Sequence, residues 1–201
     1  MKRDENLLFL PGALGERALR ARLCAGENAA FRECYEQYAP KLIRILLRIV
    51  RNQAMAEEVL QETFIAAFRS IGQFRGEVGI SSWLTRIAVN RAYNALRDER
   101  RRQKNLPEIP DDVVPAFGTQ IEDRDLGRKV MALLDEMDAA KRLALLLMAE
   151  GYSVTEIAEV TSEPRGTILA RLSRSRAELS LRMAAAGLTA KPRRSALEEK
   201  L

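Results

Sequence analysis

The segment between Ser153 and Arg176 reads SVTEIAEVTSEPRGTILARLSRSR, which restricts the local fold to two short helices joined by a tight turn. Ser153 and Glu156 have the spacing of a capping box ahead of an apolar run, so a helix is predicted over 154–160. The residues TSEP then form the turn, and Pro164 suits the first turn of a following helix. We therefore expect a helix-turn-helix with a small apolar core. That core consists of Ile157, Ile168 and Leu172.

The second helix of this pair carries short polar and basic side chains on one face. These residues are Thr167, Ala170, Arg171 and Arg174, with Arg165 at the start of the helix. Such a face can enter the major groove, where arginine donates to guanine edges or to phosphates. A solvated basic helix has the same composition, and helix-turn-helix units also serve as protein docking modules. The order of capped helix, turn and basic helix favours DNA binding.

Composition sets the fold class of the whole chain. Its 201 residues are 47% apolar and 30% charged, which is typical of a globular protein rather than a disordered one. Helical periodicity recurs throughout and strand signals are almost missing, so we expect an all-α protein. The apolar runs are too short to cross a bilayer and the N-terminus is a poor secretion signal, which predicts a cytoplasmic protein. A net charge of +5 suggests a polyanionic partner.

Several chemistries are disfavoured by the residues that the sequence lacks. There is no histidine, and Cys24 and Cys34 are the two cysteines. This excludes the usual zinc spacings and a Cys–His nucleophile, and no Walker phosphate loop is present. We therefore predict no enzyme activity, no metal and no cofactor. The cysteines are interpreted as small hydrophobic residues rather than as a disulfide.

Three helices are predicted in the N-terminal half. The first, a helix or a helix pair bent near Pro40, has a buried stripe at three- and four-residue steps. The stripe comprises Phe31, Tyr35, Tyr38, Leu42, Leu46 and Ile49. The second helix spans about 56–71. The third spans 82–103, with Ser81 or Ser82 as its cap, and follows the glycine-rich loop GQFRGEVGISS.

Beyond these helices a proline-rich acidic stretch predicts a flexible linker, and helical pattern resumes from Glu122 past Leu147 to a stop at Gly151. Two small helical domains joined by an acidic linker are therefore expected. Their predicted bounds are 1–104 for the N-terminal domain, 105–121 for the linker, 122–183 for the C-terminal domain and 184–201 for a tail.

The second predicted helix has two faces. Its core face comprises Leu60, Phe64, Ala67, Phe68 and Ile71, and its opposite face comprises Glu58, Gln61, Glu62 and Ile65. The opposite face is either an ordinary solvated surface or a docking surface for a basic partner with Ile65 at its centre. The residues alone favour the solvated surface.

The third predicted helix combines cations, amides and a ring on one face. This face comprises Trp83, Arg86, Asn90, Asn94, Arg97 and Arg101. The mixture suits single-stranded DNA, because cations hold phosphate, amides bond base edges and a ring can stack on a base. Phe74 and Arg75 in the preceding loop would lie near this face and could form a pocket for a flipped base. Trp83 could equally be a structural anchor at the helix start.

Two stretches together resemble a known family. EEVLQETFIAAFRSIGQFRGEVGISSWLTRIAVNRAYNALRDERRR resembles region two of the extracytoplasmic-function (ECF) sigma factors of bacterial RNA polymerase. LLDEMDAAKRLALLLMAEGYSVTEIAEVTSEPRGTILARLSRSRAEL resembles their region four. The matches stand in the family's order and cover most of 31–181.

This resemblance implies roles for the faces described above. Residues matching Glu58, Gln61 and Glu62 dock on the clamp helices of the polymerase's largest subunit. The loop 72–82 and the following helix bind the melted strand of the minus-ten element, with Phe74 and Asn90 at its flipped base. The helix 164–176 reads the minus-thirty-five element, and the linker enters the polymerase active-site cleft.

The resemblance also has departures and implied partners. Ile80, Ser82, Glu58, Ser162 and Ala170 replace residues usual in the family, which bears on promoter sequence more than on fold. The implied partners are core RNA polymerase, promoter DNA and an anti-sigma factor that is often membrane-anchored. The alternatives are a stand-alone helix-turn-helix regulator and an anti-sigma-like adaptor. The acidic face, the strand-binding face and the basic helix argue against them.

Overall fold

The computed structural model describes residues 11–103 and 121–188, and these are helical with no strand among them. The predicted all-α class is confirmed. The helices are α1 (Pro11–Cys24), α2 (Asn28–Val50), α3 (Gln53–Ser70), α4 (Ile80–Gln103), α5 (Ile121–Asp135), α6 (Ala139–Ala149), α7 (Val154–Thr161) and α8 (Arg165–Ala185). The predicted linker up to residue 120 and the tail beyond residue 188 lie outside the described residues. Over the described ranges, no helix combines the length and the apolar character that a membrane span requires.

The described residues fall into two compact units. The first unit comprises residues up to 103 together with Leu146–Ile168, and the second comprises residues from 121 to Leu145 and from Leu169 onward. Helices α6 and α8 contribute residues to both.

Helices α2, α3 and α4 pack against one another to form the core of the first unit. Its most buried side chains include Leu42, Ile45, Leu46, Val59, Phe64, Leu84 and Ala88. Thr63 is fully buried as well, and its hydroxyl donates to the Val59 carbonyl 2.7 Å away on its own helix. This hydrogen bond offsets the cost of removing the hydroxyl from water, so the polar residue is tolerated in the core.

The ends of α2 and α3 follow from local backbone chemistry. Arg51 ends α2 in the left-handed conformation at φ 58°, and its N–H reaches the Leu47 carbonyl. Asn52 then caps α3 by accepting a hydrogen bond from the Met55 N–H at 2.9 Å. Pro40 lies inside α2, which runs continuously through it.

The segment Leu146–Ile168 packs on this bundle mainly through α7 and α4. The Tyr152 hydroxyl lies 2.6 Å from Thr85 Oγ1 and 3.3 Å from Ser81 Oγ, while Lys41 Nζ lies 3.6 Å from the centre of the Tyr152 ring. Glu150 is bound by two arginines of α2. These are Arg44, whose Nε donates at 3.2 Å, and Arg48.

The second unit is small, and ion pairs tie its helices together. Lys141 Nζ donates to Glu178 at 2.8 Å, and Arg182 reaches the same carboxylate at 3.1 Å. Hydrogen bonding by Lys141 is the largest influence that lowers the pKa of Glu178. Leu134, Leu143 and Leu172 are buried in this unit.

Two helix predictions are wrong in detail. Ser81 and Ser82 lie inside α4, which begins at Ile80, so neither caps it. The helix expected from Glu122 past Leu147 is two helices, α5 and α6. The new helix α6 begins after Asp138, because the Asp138 side chain caps it by accepting hydrogen bonds from the backbone N–H groups of residues 140 and 141 at 3.0 and 3.3 Å.

The predicted buried stripes are confirmed only in part. Tyr35 is 46% exposed although its ring packs 4.8 Å from that of Phe64, centre to centre. Phe31 and Phe68 are half-buried and contact each other at 4.6 Å. These rings form the rim of the α2–α3 contact, where a large side chain buries one side and exposes the other.

Candidate nucleic-acid and docking interfaces

A line of exposed polar residues runs along α4, and we name it the α4 stripe. It consists of Arg86, Asn90, Asn94 and Arg97, all of which are exposed. Steps of four, four and three residues place them on one face of a helix. The opposite side of α4 is buried through Leu84, Ala88 and Ala92. The stripe therefore offers two guanidinium groups and two amides to a ligand, which is the chemistry of phosphate and base-edge binding.

An aromatic pair stands at the start of the stripe. The rings of Phe74 and Trp83 are stacked with their centres 4.5 Å apart and their planes 20° apart. Phe74 is only 6% exposed, whereas Trp83 is half-buried. Of the two rings, Trp83 thus has exposed surface on which a base could stack, and the buried Phe74 ring packs against it.

The loop that leads to α4 begins with a short 3-10 turn, Ile71–Gln73. Arg75 after it is exposed, as expected of a residue that could reach a phosphate. Gly76 adopts φ +75°, a conformation that glycine takes at little cost and other residues avoid. Arg75 is thus an exposed cation that directly follows Phe74 in the chain.

The α3 surface, defined as Glu58, Gln61, Glu62 and Ile65, is exposed throughout. Ile65 is 44% exposed, which makes it an apolar centre within a polar surround. Glu62 accepts a hydrogen bond from Arg91 of α4 at 2.7 Å. Spacing along one helix could not reveal this pair, because Arg91 lies 29 residues away.

The predicted helix-turn-helix has its expected local geometry. Ser153 and Glu156 form the complete capping box, with hydrogen bonds of 2.8 and 3.2 Å. The turn passes through Ser162 in the left-handed conformation at φ 59°. Helix α8 begins at Arg165, directly after Pro164. Gly151 has φ +84°, which confirms the stop predicted there.

Helix α8 has one exposed side and one buried side, as expected. Arg165, Thr167, Ala170 and Arg174 are exposed and Arg171 is half-buried, whereas Ile168, Leu172 and Ser175 are buried. Arg174 Nε donates to the Ala170 carbonyl at 3.2 Å, which orients its guanidinium along the helix. Leu169 is 50% exposed beside this face and was missed by the sequence analysis. Neighbours on a helix point about 100° apart, so Ile168 enters the core while Leu169 lies at the edge of the exposed face.

The thiols and the acids give no sign of a catalytic or metal centre. Burial raises the pKa of the Cys34 thiol to about 12, and the nearby Glu33 carboxylate adds to the rise, so Cys34 is a protonated core residue rather than a nucleophile. Both cysteines are free thiols on the N-terminal helices rather than a disulfide, and Cys34 is buried whereas Cys24 is exposed. Within residues 11–103 and 121–188, no group of three or more cysteine or acidic side chains could hold a metal ion.

Comparison with known proteins agrees with this layout. Residues 34–102 match the family model for sigma-70 region 2, and residues 127–179 match that for sigma-70 region 4. The chain is 34% identical over 175 residues to the ECF RNA polymerase sigma-E factor of Haemophilus influenzae, covering 81% of this chain and 92% of that protein. It is 30% identical over 163 residues to the ECF sigma factor SigM of Mycobacterium tuberculosis, covering 81% of each.

Two solved structures share the fold. CnrH, solved with the cytosolic domain of CnrY, has a TM-score of 0.67 at 24% identity, covering 85% of this chain and 97% of CnrH. The sigma factor RpoE of Bartonella quintana, solved with the anti-sigma factor NepR, has a TM-score of 0.63 at 23% identity. The match covers 77% of this chain and 96% of RpoE.

Two regions of the sigma-70 type on an all-helical chain define a transcription initiation factor. The degree and coverage of identity to curated relatives then assign the group, and the chain belongs to the ECF sigma factors of bacterial RNA polymerase. Its activity is to bind core polymerase and direct promoter-specific initiation, which involves no catalysis of its own. A stand-alone regulator is not favoured, because such a protein has no use for a region that binds polymerase.

Proposed function

We propose that this sigma factor divides promoter recognition and polymerase docking among three surfaces. The exposed residues of α8 bind the minus-thirty-five element as duplex, the α4 stripe with Trp83 and Arg75 binds the melted minus-ten strand, and the α3 surface docks on core polymerase. The observation that carries the proposal is the α4 stripe with the aromatic pair at its head. A duplex-binding regulator needs no such combination of amides, cations and a half-exposed ring.

Free energy for strand opening comes from binding unstacked bases. Stacking of one base on an aromatic side chain is worth roughly 1–3 kcal/mol, which is comparable to the cost of unstacking a base in the duplex. Phosphate contacts by Arg86 and Arg97 add a salt-dependent term without reading sequence. The amides of Asn90 and Asn94 supply directional hydrogen bonds, which suit base edges.

The proposed domain bounds are those expected from the sequence, with 1–104 for docking and minus-ten binding and 122–183 for minus-thirty-five binding. The matches over 34–102 and 127–179 support this division. We place its work in the cytoplasm, where bacterial polymerase lies, and we infer an anti-sigma factor as a further partner. RpoE, which shares the fold, was solved with one.

Binding to bacterial core polymerase tests the docking surface. A Gln61→Ala/Glu62→Lys variant should fail to co-elute with core, because a reversed charge at a docking face costs several kcal/mol. Glu36→Lys on the exposed surface of α2 makes a comparable charge change outside the α3 surface and should leave binding intact. Arg91→Ala removes the partner of Glu62 without touching α3, which separates docking from the loss of that ion pair. Wild-type chain that shifts duplex DNA but does not bind core would contradict the proposal.

A further inference from the structure

Helix α1 reaches the loop that precedes the α4 stripe. The guanidinium carbon of Arg20 lies over the Phe74 ring, 5.4 Å from its centre. Since Phe74 is stacked on Trp83, Arg20 contacts one member of the aromatic pair. Arg20 itself is half-buried, which strengthens a cation–π contact relative to one in open water.

Arg20 also contacts the loop backbone. A Cβ atom built on Gly76 would lie 2.2 Å from Arg20 Nη1 and 2.9 Å from its guanidinium carbon. The φ of +75° favours glycine at this position, and a side chain here would also have to displace the Arg20 guanidinium, the end of a flexible side chain. The Arg20 guanidinium therefore lies against the loop at residue 76.

Two further residues of α1, Glu16 and Cys24, lie close to the same loop. A Cβ on Gly79 would lie 3.3 Å from Glu16 Oε2, and the other carboxylate oxygen of Glu16 accepts a hydrogen bond from the Tyr38 hydroxyl at 3.1 Å. At the start of the loop, Cys24 Sγ lies 3.7 Å from the Ile71 carbonyl oxygen and donates to it. One helix thus touches the loop at its beginning, middle and end.

We propose that Arg20 is a positioning residue for the melted minus-ten strand. It fixes the loop and the Phe74–Trp83 stack in the arrangement in which Trp83 and Arg75 face the strand, without binding the strand itself. This inference rests on the proposed function of the α4 stripe. It gives α1 a role in strand recognition that its sequence, a helix with basic residues on its surface, does not indicate.

The experiment compares Arg20→Ala with Arg17→Ala. Arg17 is exposed on the same helix, so both variants remove one positive charge from α1 and should lose nonspecific attraction equally. The probe is a fluorescein-labelled single-stranded oligonucleotide selected from a random pool by wild-type holoenzyme, and anisotropy gives its Kd. We expect Arg20→Ala to weaken binding by about 3- to 10-fold and Arg17→Ala by less than about 2-fold. Thermal unfolding by circular dichroism checks that both variants fold.

A second readout follows the stack directly. Trp83 is the only tryptophan of the chain, so its fluorescence in the free protein reports on the aromatic pair. Arg20→Ala should increase its quenching by acrylamide and Arg17→Ala should not. Weakened strand binding with unchanged quenching would mean that Arg20 contacts the strand, which would overturn the positioning role.

A Gly76→Ala variant gives a test that keeps the charge. Its methyl group would displace the Arg20 guanidinium, so it should reproduce the loss of strand binding. Backbone strain at residue 76 is the same with or without Arg20. Gly76→Ala should therefore reduce strand affinity clearly less in an Arg20→Ala background than in the wild-type background. Equal reductions in both backgrounds would refute the contact. If wild-type holoenzyme binds the strand and Arg20→Ala matches Arg17→Ala, this inference alone fails. If wild-type holoenzyme selects no strand, the proposed function fails and this inference fails with it.

Discussion

Tyr152 provides a sharp test of how the segment before α7 is held on α4. Tyr152→Phe removes one partner of the 2.6 Å hydrogen bond to Thr85, and both residues are at most 1% exposed. A buried hydroxyl left without a partner costs about 1–3 kcal/mol. Thr85 can recover part of this by turning to a carbonyl of its own helix. We therefore expect the first unit to lose about 1–2 kcal/mol of unfolding free energy.

A double-mutant cycle isolates the bond itself. Thr85→Val removes the other hydroxyl while keeping the shape of the side chain, and alone it should cost about 1 kcal/mol. The double variant leaves neither hydroxyl stranded, so its loss should not exceed the larger single loss. The two changes should thus couple by about 1 kcal/mol.

Urea unfolding followed by Trp83 fluorescence measures these losses, because Trp83 lies on α4, the helix that carries Thr85. Tyr35→Phe is the matched control, since Tyr35 is 46% exposed and loss of its hydroxyl should cost less than about 0.5 kcal/mol. A double variant that loses the full sum of the single losses would show that the two hydroxyls do not share a bond, and the reasoning would be wrong.

Three further outcomes are expected. Ser153→Ala should lower the free energy of unfolding by about 1 kcal/mol, because it removes the cap of α7. Ser162→Gly should raise it by roughly 0.5–1 kcal/mol, because glycine adopts the left-handed conformation without strain. Urea midpoints of the two variants that do not move in opposite directions would contradict this. At pH 8, iodoacetamide should modify Cys24 at least about 100 times faster than Cys34, whose thiol is buried and whose pKa is raised to about 12, and mass spectrometry of the native chain measures both rates. The pKa of Glu178 is lower in the folded chain than its ordinary value of 4.5, so the ionised carboxylate stabilises the fold above pH 4.5, and this stability is lost as the pH falls through the lowered pKa. Glu178→Gln should therefore reduce the loss of stability at acid pH, and an unchanged loss would refute the pairing.

Sequence reasoning succeeded where the deciding interaction is local. The capping box of α7 joins residues three apart, and the stop at Gly151 depends on one backbone angle, so both could be predicted from the sequence. The α4 stripe follows from helical spacing alone. Its exposure could be predicted because a helix packed on one side leaves the other side to solvent.

Prediction failed where the deciding partner is distant in sequence. Ser81 has the composition and position of a helix cap, yet its hydroxyl lies 3.3 Å from Tyr152, 71 residues away. Tyr35 has the spacing of a core residue but falls at the rim of the α2–α3 contact. Periodicity identifies the face of a helix on which a residue lies, but it does not identify what packs there or how far that contact extends.

The arginines of α1 show why charge pattern alone does not locate function. Arg17, Arg20 and Arg22 all flank the buried pair Leu19 and Leu23, and spacing treats them as one basic surface. In the structure their environments differ. Arg22 is bound to two carboxylates at 2.9 and 2.6 Å, Arg17 is exposed, and Arg20 lies against a ring and a glycine. Of these three arginines, Arg20 contacts the loop before α4, so under the proposed positioning role its substitution should weaken strand binding by holoenzyme more than substitution of Arg17 does.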